Sequence, residues 1–478
     1  MGTTVFERNP PAPAVVRRSL AETETRTFWI DDLPSSMRPD REPLRGGLSA
    51  DLVIVGAGYT GLWTALLAKL RDPGRDVVVV EANRVGWAAS GRNGGFCESS
   101  LTHGHENGKR RWPDEIETLE RLGMENLDAI EQTVADLGLD VQFERTGQLA
   151  PAIEEHQIAW LEEWRDEAPG DPDLVYLDRD AVRAAVNSPT YLAGIWEKRN
   201  CAILHPARLA AELARAAEER GVRIFERSRV TGLEDTASGV AVVAESGRVD
   251  ASHAVLATNV FPSLLRRNRL MTVPVYDYAL MTEPLTSAQW DAIGWRDRQG
   301  IGDMANQFHY YRPTQDGRIL FGGYDAIYHY GRRVDPRYEN RPDVWEKLAS
   351  HFFTTFPQLE GLRFSHQWAG AIDSSTQFTA FFGTARRGRV AYAAGFTGLG
   401  VGSTRFAGEV MLDLLDGIRN ERTELKMVRR RPLPFPPEPA AAIGINATRW
   451  SMNRADHNEG KRNLLLKTLD ALGLGFDS

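Results

Sequence analysis

Residues 51–70 read DLVIVGAGYTGLWTALLAKL, and VVVVEA follows at 77–82. The run Asp51-Leu-Val-Ile-Val55 suits a short strand buried on both faces. Gly56, Gly58 and Gly61 then fall in G-x-G-x-x-G spacing. The first glycine permits a tight turn, the second lets a pyrophosphate approach the backbone, and the third lets a helix pack on the strand. Tyr59 and Thr60 open that helix, which is expected to run to about Leu70, where Asp72-Pro73-Gly74 stops it. The helix N-terminus faces the phosphate charge. The next strand, 77–80, ends at Glu81 and Ala82. An acidic residue there can accept hydrogen bonds from both ribose hydroxyls, and its charge repels a 2′-phosphate, which argues against NADP. The unit is strand–turn–helix–strand, the opening of an α/β domain.

FAD and NAD both use such a cradle, and two other glycine-rich stretches favour the flavin. RVGWAASGRNGGF (84–96) sets Ser90, Gly91, Arg92, Asn93, Gly94 and Gly95 directly behind the second strand. A loop of this kind can bring backbone N–H groups along an extended cofactor, although a flexible surface loop has the same composition. Near the other end, Gly395, Gly398, Leu399, Gly400 and Val401 lead into a helix expected over 401–417. Its positive end can face a ring edge that gains negative charge on reduction.

The chain has 478 residues, 42% hydrophobic and 26% charged, so it is long enough for two or three domains and ordinary in composition. A formal charge of −8 argues against a nucleic-acid partner. Arg429-Arg430-Arg431 reads as a solvated helix end. Two cysteines, Cys97 and Cys201, cannot form a disulfide framework, so a reduced, cytoplasmic chain is expected. No metal-ligand spacing, no signal peptide and no membrane-spanning run is read.

Residues 1–45 read as an irregular arm. Helices are expected over 114–139 and 206–220, and strands over 222–226, 239–246, 253–258 and 390–395. Aromatic-rich strands fill 270–382. Residues 432–439, rich in proline, read as a strap before one last helix near 460–473.

At this point the chain resembles the FAD-dependent D-amino-acid oxidase superfamily, which includes glycine oxidase, sarcosine oxidase and D-amino-acid dehydrogenase. Within it, the likeness is to the γ-glutamylputrescine oxidase-like branch. The matching segments are VIVGAGYTGLWTA (53–65), EANRVGWAASGRNGG (81–95), LHPARLAAELARAAEERGVRIFERSRVTGLE (204–234), VLATN (255–259), YYRPTQDGRILFGG (310–323), WAG (368–370) and AAGFTGLGVGSTRFAGEV (393–410). The resemblance implies a Rossmann-like FAD-binding domain of the glutathione-reductase type, drawn from 46–110, 200–262 and 385–420. A second α+β substrate domain on a mixed or antiparallel sheet would comprise 111–199 and 263–384, with 421–478 as strap and helix. It further implies Val230 as the adenine contact, Ala257 and Thr258 as a second nucleotide contact, residues 90–95 passing the pyrophosphate and flavin, and 395–401 as the flavin loop. Some relatives attach flavin covalently through His or Cys. Residues 84–96 hold neither, so noncovalent FAD is expected, with Cys97 read as a buried, inert thiol.

The implied chemistry is oxidation of an amine or amino acid to an imine by hydride transfer to flavin N5, with O2 or another acceptor reoxidising the flavin. Such a site needs an oriented α-carbon and little water. His309, Tyr311, Arg312 and Trp368 are the catalytic candidates, with Tyr310 beside them. Strand alternation prevents Tyr310 and Tyr311 from facing the same side. Arg312 can clamp a carboxylate or make a structural ion pair, and His309 can be a proton acceptor or a satisfied core histidine. Arg92 is a possible phosphate or substrate contact, and Asp373 a cap or turn residue. Oxidation of a C–O bond, or FAD binding without turnover, are the rival readings. Oligomeric state is not legible.

Overall fold

The computed structural model describes residues 2–475. Its first sheet has eight strands, centred on the parallel set Val390–Ala394, Gly247–Leu256, Gly46–Val55, Val77–Val80 and Arg223–Phe225. These strands are parallel because each is reached through a crossover, and their valine-rich runs are buried on both faces. Helix Tyr59–Arg71 follows the first strand. It is apolar nearly all round, because helices Pro206–Glu218 and Gly400–Leu415 pack on it. Antiparallel Val230–Asp235 and Val240–Ala244 extend one edge, and Phe381–Ala385 pairs with Val390–Ala394.

A second sheet of ten strands is mostly antiparallel. Its centre is Phe364–Ser375, Thr272–Thr282, Ile319–Gly323 and His309–Pro313, and it continues through Gly300–Gly302 to Gln148–Ala152 and Ala193–Glu197. Helix Pro342–Thr355 covers one face with Trp345, Phe352 and Phe353. A small ribbon, Phe96–Glu98 with Cys201–Ile203, stands apart from both sheets.

Two expectations are corrected. Residues 1–45 are not an irregular arm: they form helices Val5–Arg8, Pro13–Leu20 and Phe28–Asp31, and strand Glu24–Thr25 pairs parallel with Phe364–Ser375. Phe28, Trp29 and Leu44 are buried, because the prolines that break the segment punctuate a run that still carries core residues. The tail holds two helices rather than one, Ala440–Asp456 and Leu464–Ala471. The first begins at AAAIGINATRW, where alanine replaces the prolines of the strap. Among the described residues no helix is long and apolar enough to cross a membrane.

The N-terminal segment is fastened by charge. Arg41 donates from Nε and Nη2 to both oxygens of Glu218, at 2.6 and 2.8 Å, and from Nη1 to Glu226 Oε1 at 3.3 Å. Glu226 is buried, and Arg227 lies 3.9 Å from its other oxygen. Arg41→Ala removes the nearer cation from a buried carboxylate. A loss of about 2–3 kcal/mol is expected in urea unfolding. A change below about 0.5 kcal/mol would show that the segment is held by its apolar residues alone.

Candidate active site

A single cavity of about 2410 Å³ begins at the carboxyl ends of the parallel strands, at Val55, Val80 and Ala257, and extends to Asp277, Tyr310 and Trp368 on the second sheet. Ligands of open α/β sheets bind at this edge. The turn after the first strand is built from close backbone contacts. Gly56 has φ +107°, and a Cβ there would lie 2.5 Å from the Ala257 carbonyl oxygen. A Cβ on Gly61 would lie 1.9 Å from the Gly56 carbonyl oxygen, and one on Gly58 would lie 2.9 Å from Ser90 Oγ. Gly58 caps helix Tyr59–Arg71, whose first turn carries no acidic residue and no side-chain cap. Ser90 Oγ takes the first N–H of this helix, that of Tyr59, at 3.0 Å, and a neutral helix start that lines a cavity suits a pyrophosphate.

Glu81 fits a ribose more narrowly than its position suggests. Its Oε2 accepts the Ala57 N–H at 2.8 Å, and its Oε1 accepts the Asn83 N–H at 2.8 Å and Trp87 Nε1–H at 3.1 Å. A carboxylate has about four acceptor positions, so these bonds leave room for one ribose hydroxyl rather than two. Burial pushes its pKa up, and the same three donors pull it back.

Thr60, Ala82, Ser90, Asn93, Gly94, Val230, Ala257 and Thr258 share the cavity wall with Gly56, Gly58, Tyr59 and Glu81. Across it stand Gly398, Leu399, Gly400 and Val401, at the start of helix Gly400–Leu415. Thr404, the fifth residue of that helix, lines the wall with a buried hydroxyl that has no hydrogen-bond partner. That orphaned group and the glycine cradle both fit a bound dinucleotide. The other glycines act from behind. A Cβ on Gly91 would lie 2.3 Å from Gly86 O, and Gly95 (φ +77°) is pressed against Leu204 O. The Gly395 N–H donates to Asp373 Oδ2 at 2.5 Å. Asn93 ties the loop to itself: its Nδ2 donates to Ala89 O and Ser90 O, and its Oδ1 accepts the Gly95 N–H.

The catalytic candidates divide. His309 and Tyr311 lie on the core face of strand His309–Pro313. His309 Nδ1 is 2.7 Å from Asp303 Oδ2, and Nε2 is 2.9 Å from His351 Nδ1. The Tyr311 hydroxyl is 2.6 Å from that of Tyr191. Neither lines the cavity, because alternation turns both toward Phe321 and the covering helix. Arg312 lies on the other face but stops short of the cavity. Its Nη1 donates to Leu204 O at 2.8 Å, and its guanidinium sits 5.0 Å from the centre of the Trp29 ring. Burial lowers its pKa to about 9. A carboxylate clamp by Arg312 is therefore withdrawn. Arg92 reaches the wall, yet its Nη1 is held by Glu339 at 2.6 Å and Ala369 O at 3.1 Å, so it is not free for phosphate. Trp368 does line the cavity and donates from Nε1 to Arg92 O at 2.8 Å. Its companion is Tyr310, whose hydroxyl donates to Asp277 Oδ2 at 2.5 Å and whose ring abuts Gly94.

Asp373, read from the sequence as a cap or turn residue, is buried, accepts the Gly395 N–H and has its pKa raised by burial to about 7. Other wall residues escaped the sequence reading. Pro434, Thr448 and Met452 reach the wall from the strap and from helix Ala440–Asp456. A proline strap followed by alanine was the available signal. Cys97 lies in the core, and burial pushes its thiol up to about 12. Two side-chain groups, His105–Glu106–Glu167 and Glu24–Asp31–His366, come close enough to share an ion, and none of the six side chains is buried.

Comparison with known proteins agrees with this architecture. The sequence profile of the DAO family, FAD dependent oxidoreductase, matches residues 51–414. Gamma-glutamylputrescine oxidoreductase of Escherichia coli is 31% identical over 385 residues, covering 79% of this chain and 86% of the relative. A probable oxidoreductase OrdL of Haemophilus influenzae is 28% identical over 406 residues, 83% of this chain and 89% of the relative. Glycine oxidase from Geobacillus kaustophilus has a similar fold, with TM-score 0.65 and 19% identity over 78% of this chain and 96% of that one. One methyl group tests the cradle. Gly61→Ala places a Cβ against the Gly56 carbonyl, and the purified variant is expected to hold at least about tenfold less flavin per chain by absorbance. Flavin content equal to wild type would refute the assigned turn. With its cradle at 56–61, its second glycine turn at 398–400 and the family match spanning both, the chain belongs to the DAO family of FAD-dependent oxidoreductases.

Proposed function

We propose that the protein oxidises a C–N bond of an amine or amino acid to an imine, with noncovalently held FAD. The observation that carries this reading is the shared wall of Tyr310, Trp368 and Gly94, where two aromatic rings border the loop that follows the cradle. The names of the relatives, a gamma-glutamylputrescine oxidoreductase and a glycine oxidase, support a nitrogen substrate.

FAD bound in the cradle supplies a hydride acceptor at N5. The chain's residues do the rest. Tyr310 and Trp368 give an apolar surface that orients the substrate carbon and excludes water. Both rings are fixed, Tyr310 through Asp277 and Trp368 through the Arg92 carbonyl. The start of helix Gly400–Leu415, which carries no side-chain cap, presents positive dipole to the wall and would favour negative charge on a ring held there. Asp373 holds the turn that sets this helix start, through the Gly395 N–H. The imine leaves and takes up water, giving a carbonyl compound and the free amine or ammonia. Oxygen or another acceptor takes the electrons. Noncovalent attachment is supported by a loop at 84–96 without His or Cys and by a buried Cys97 whose thiol burial pushes up to about 12.

Purified protein is expected to be yellow, to bleach under argon with a suitable amine, and to release FAD on acid precipitation. Ammonia or amine should appear in proportion to flavin reduced. Bleaching by hydroxy acids but by no member of an amine, N-methyl amino acid and D-amino acid panel would move the reading to C–O oxidation. Flavin that no donor in either panel reduces would leave a binding protein.

A further inference from the structure

Two aromatic rings meet across the end of the cradle strand. In the first sheet, strand Gly46–Val55 lies between Gly247–Leu256 and Val77–Val80, and all three run parallel to the same edge. Trp87 belongs to the loop that follows Val77–Val80, and Phe261 to the loop that follows Gly247–Leu256. The two loops therefore flank the strand that ends at the glycine turn. Their rings nevertheless stack, with centroids 5.6 Å apart and planes 30° apart. That contact has to span the edge of the middle strand, where the cradle opens. Both rings are partly exposed, and both line the cavity together with Gly56, Gly58 and Glu81. Because the glycine turn opens on the same space, the rings bound the groove rather than fill it.

The bridge is fastened at both feet. The Gly86 N–H donates to Ala57 O at 3.0 Å, within the cradle itself. Gly86 has φ +65°, and a Cβ there would lie 2.6 Å from Ala210 Cβ, so the backbone before Trp87 is pressed onto helix Pro206–Glu218. Arg92 Nε donates to Trp87 O at 3.2 Å. Trp87 Nε1–H donates to Glu81 Oε1 at 3.1 Å, which ties the indole to the carboxylate assigned to the ribose. On the other side, the Phe261 N–H donates to Thr258 O at 3.1 Å and closes a short turn. Asn259, inside that turn, lines the cavity with a buried Oδ1 that has no hydrogen-bond partner, an acceptor left over for a bound group. Among the described residues no backbone hydrogen bond joins the two loops. Ring contact alone closes the span, so it can part while the sheet stays intact.

We propose that Trp87 and Phe261 form an aromatic latch over the bound dinucleotide. The stacked pair closes the groove above the cradle, excludes water from it, and sets how slowly FAD leaves. The latch acts on retention of FAD, whichever bond the flavin oxidises.

The test is cofactor exchange. Flavin-loaded protein is mixed with a large excess of isotopically labelled FAD, and the unlabelled FAD still bound is measured at intervals by mass spectrometry after desalting. Trp87→Ala and Phe261→Ala are each expected to exchange FAD at least about fivefold faster than wild type. The apoprotein Tm is expected to stay within about 3 °C, because the latch holds ligand and not the sheet. The double variant should exchange within about twofold of the faster single variant, since one latch opens only once. Trp87→Phe keeps a ring to stack and should stay within about threefold of wild type. Wild-type exchange in either alanine variant, or multiplied effects in the double variant, would overturn the latch. So would Trp87→Phe exchanging as fast as Trp87→Ala. Slower exchange in the alanine variants would show that the rings obstruct the groove, and would overturn it as well. If Trp87→Ala fails to fold or to load flavin, Phe261→Ala on the opposite loop and Trp87→Phe carry the test.

Discussion

The contact on which the rest depends is the packing of Gly61 on the Gly56 carbonyl, while Gly56 itself packs on Ala257. These atoms join three elements: the end of strand Gly46–Val55, the start of helix Tyr59–Arg71 and the end of strand Gly247–Leu256. Side chains are excluded from this junction by backbone distance, so the helix start is brought down onto the sheet and its N–H groups open toward the cavity. Everything that lines the cofactor end is positioned from here. Ser90 accepts the Tyr59 N–H at 3.0 Å, which carries the second glycine loop to the same turn. Tyr59 in turn donates to Pro206 O at 2.9 Å and so fastens the start of helix Pro206–Glu218.

The second half of the site is set by buried polar groups that brace loops rather than contact ligand. Arg312 is the clearest. It carries a guanidinium in a dry place without a carboxylate partner, held by the Leu204 carbonyl and by the face of Trp29. Trp29 donates from Nε1 to Asn93 O at 2.9 Å, so an N-terminal residue supports the loop at 90–95 from beneath. Asp373 does the same for the loop at 395–401. Two loops that must present backbone to a cofactor cannot use bulky side chains of their own, and neighbouring segments supply the rigidity instead.

This division explains what was legible in the chain. The cradle could be read because its glycines are demanded by backbone geometry, and Glu81 because it closes the adjacent strand. The ends of strand Gly46–Val55 (LVIV) and strand Val77–Val80 (VVVV) were legible as short apolar runs. The aromatic residues of the cavity wall were not. HYYR alternates faces, and nothing in those four letters says which face meets the cavity; the covering helix Pro342–Thr355 decides it by burying His309 and Tyr311. The N-terminal helices were hidden by prolines, whose breaking power was given too much weight against Phe28 and Trp29.

The family match ends at residue 414, yet the wall does not. Pro434, Thr448 and Met452 face the same space as Tyr310 and Trp368, from a segment anchored by Tyr328 and the Gly331 N–H on Glu438 and by Asp456 on Asn306. The cofactor end is therefore built wholly from the shared stretch, while the remaining wall draws on residues beyond it. Residues on both sides of that boundary therefore shape the remainder of the cavity. Substitutions in helix Ala440–Asp456 can change cavity shape without touching the cradle, because no residue of that helix takes part in the Gly56–Gly61–Ala257 junction.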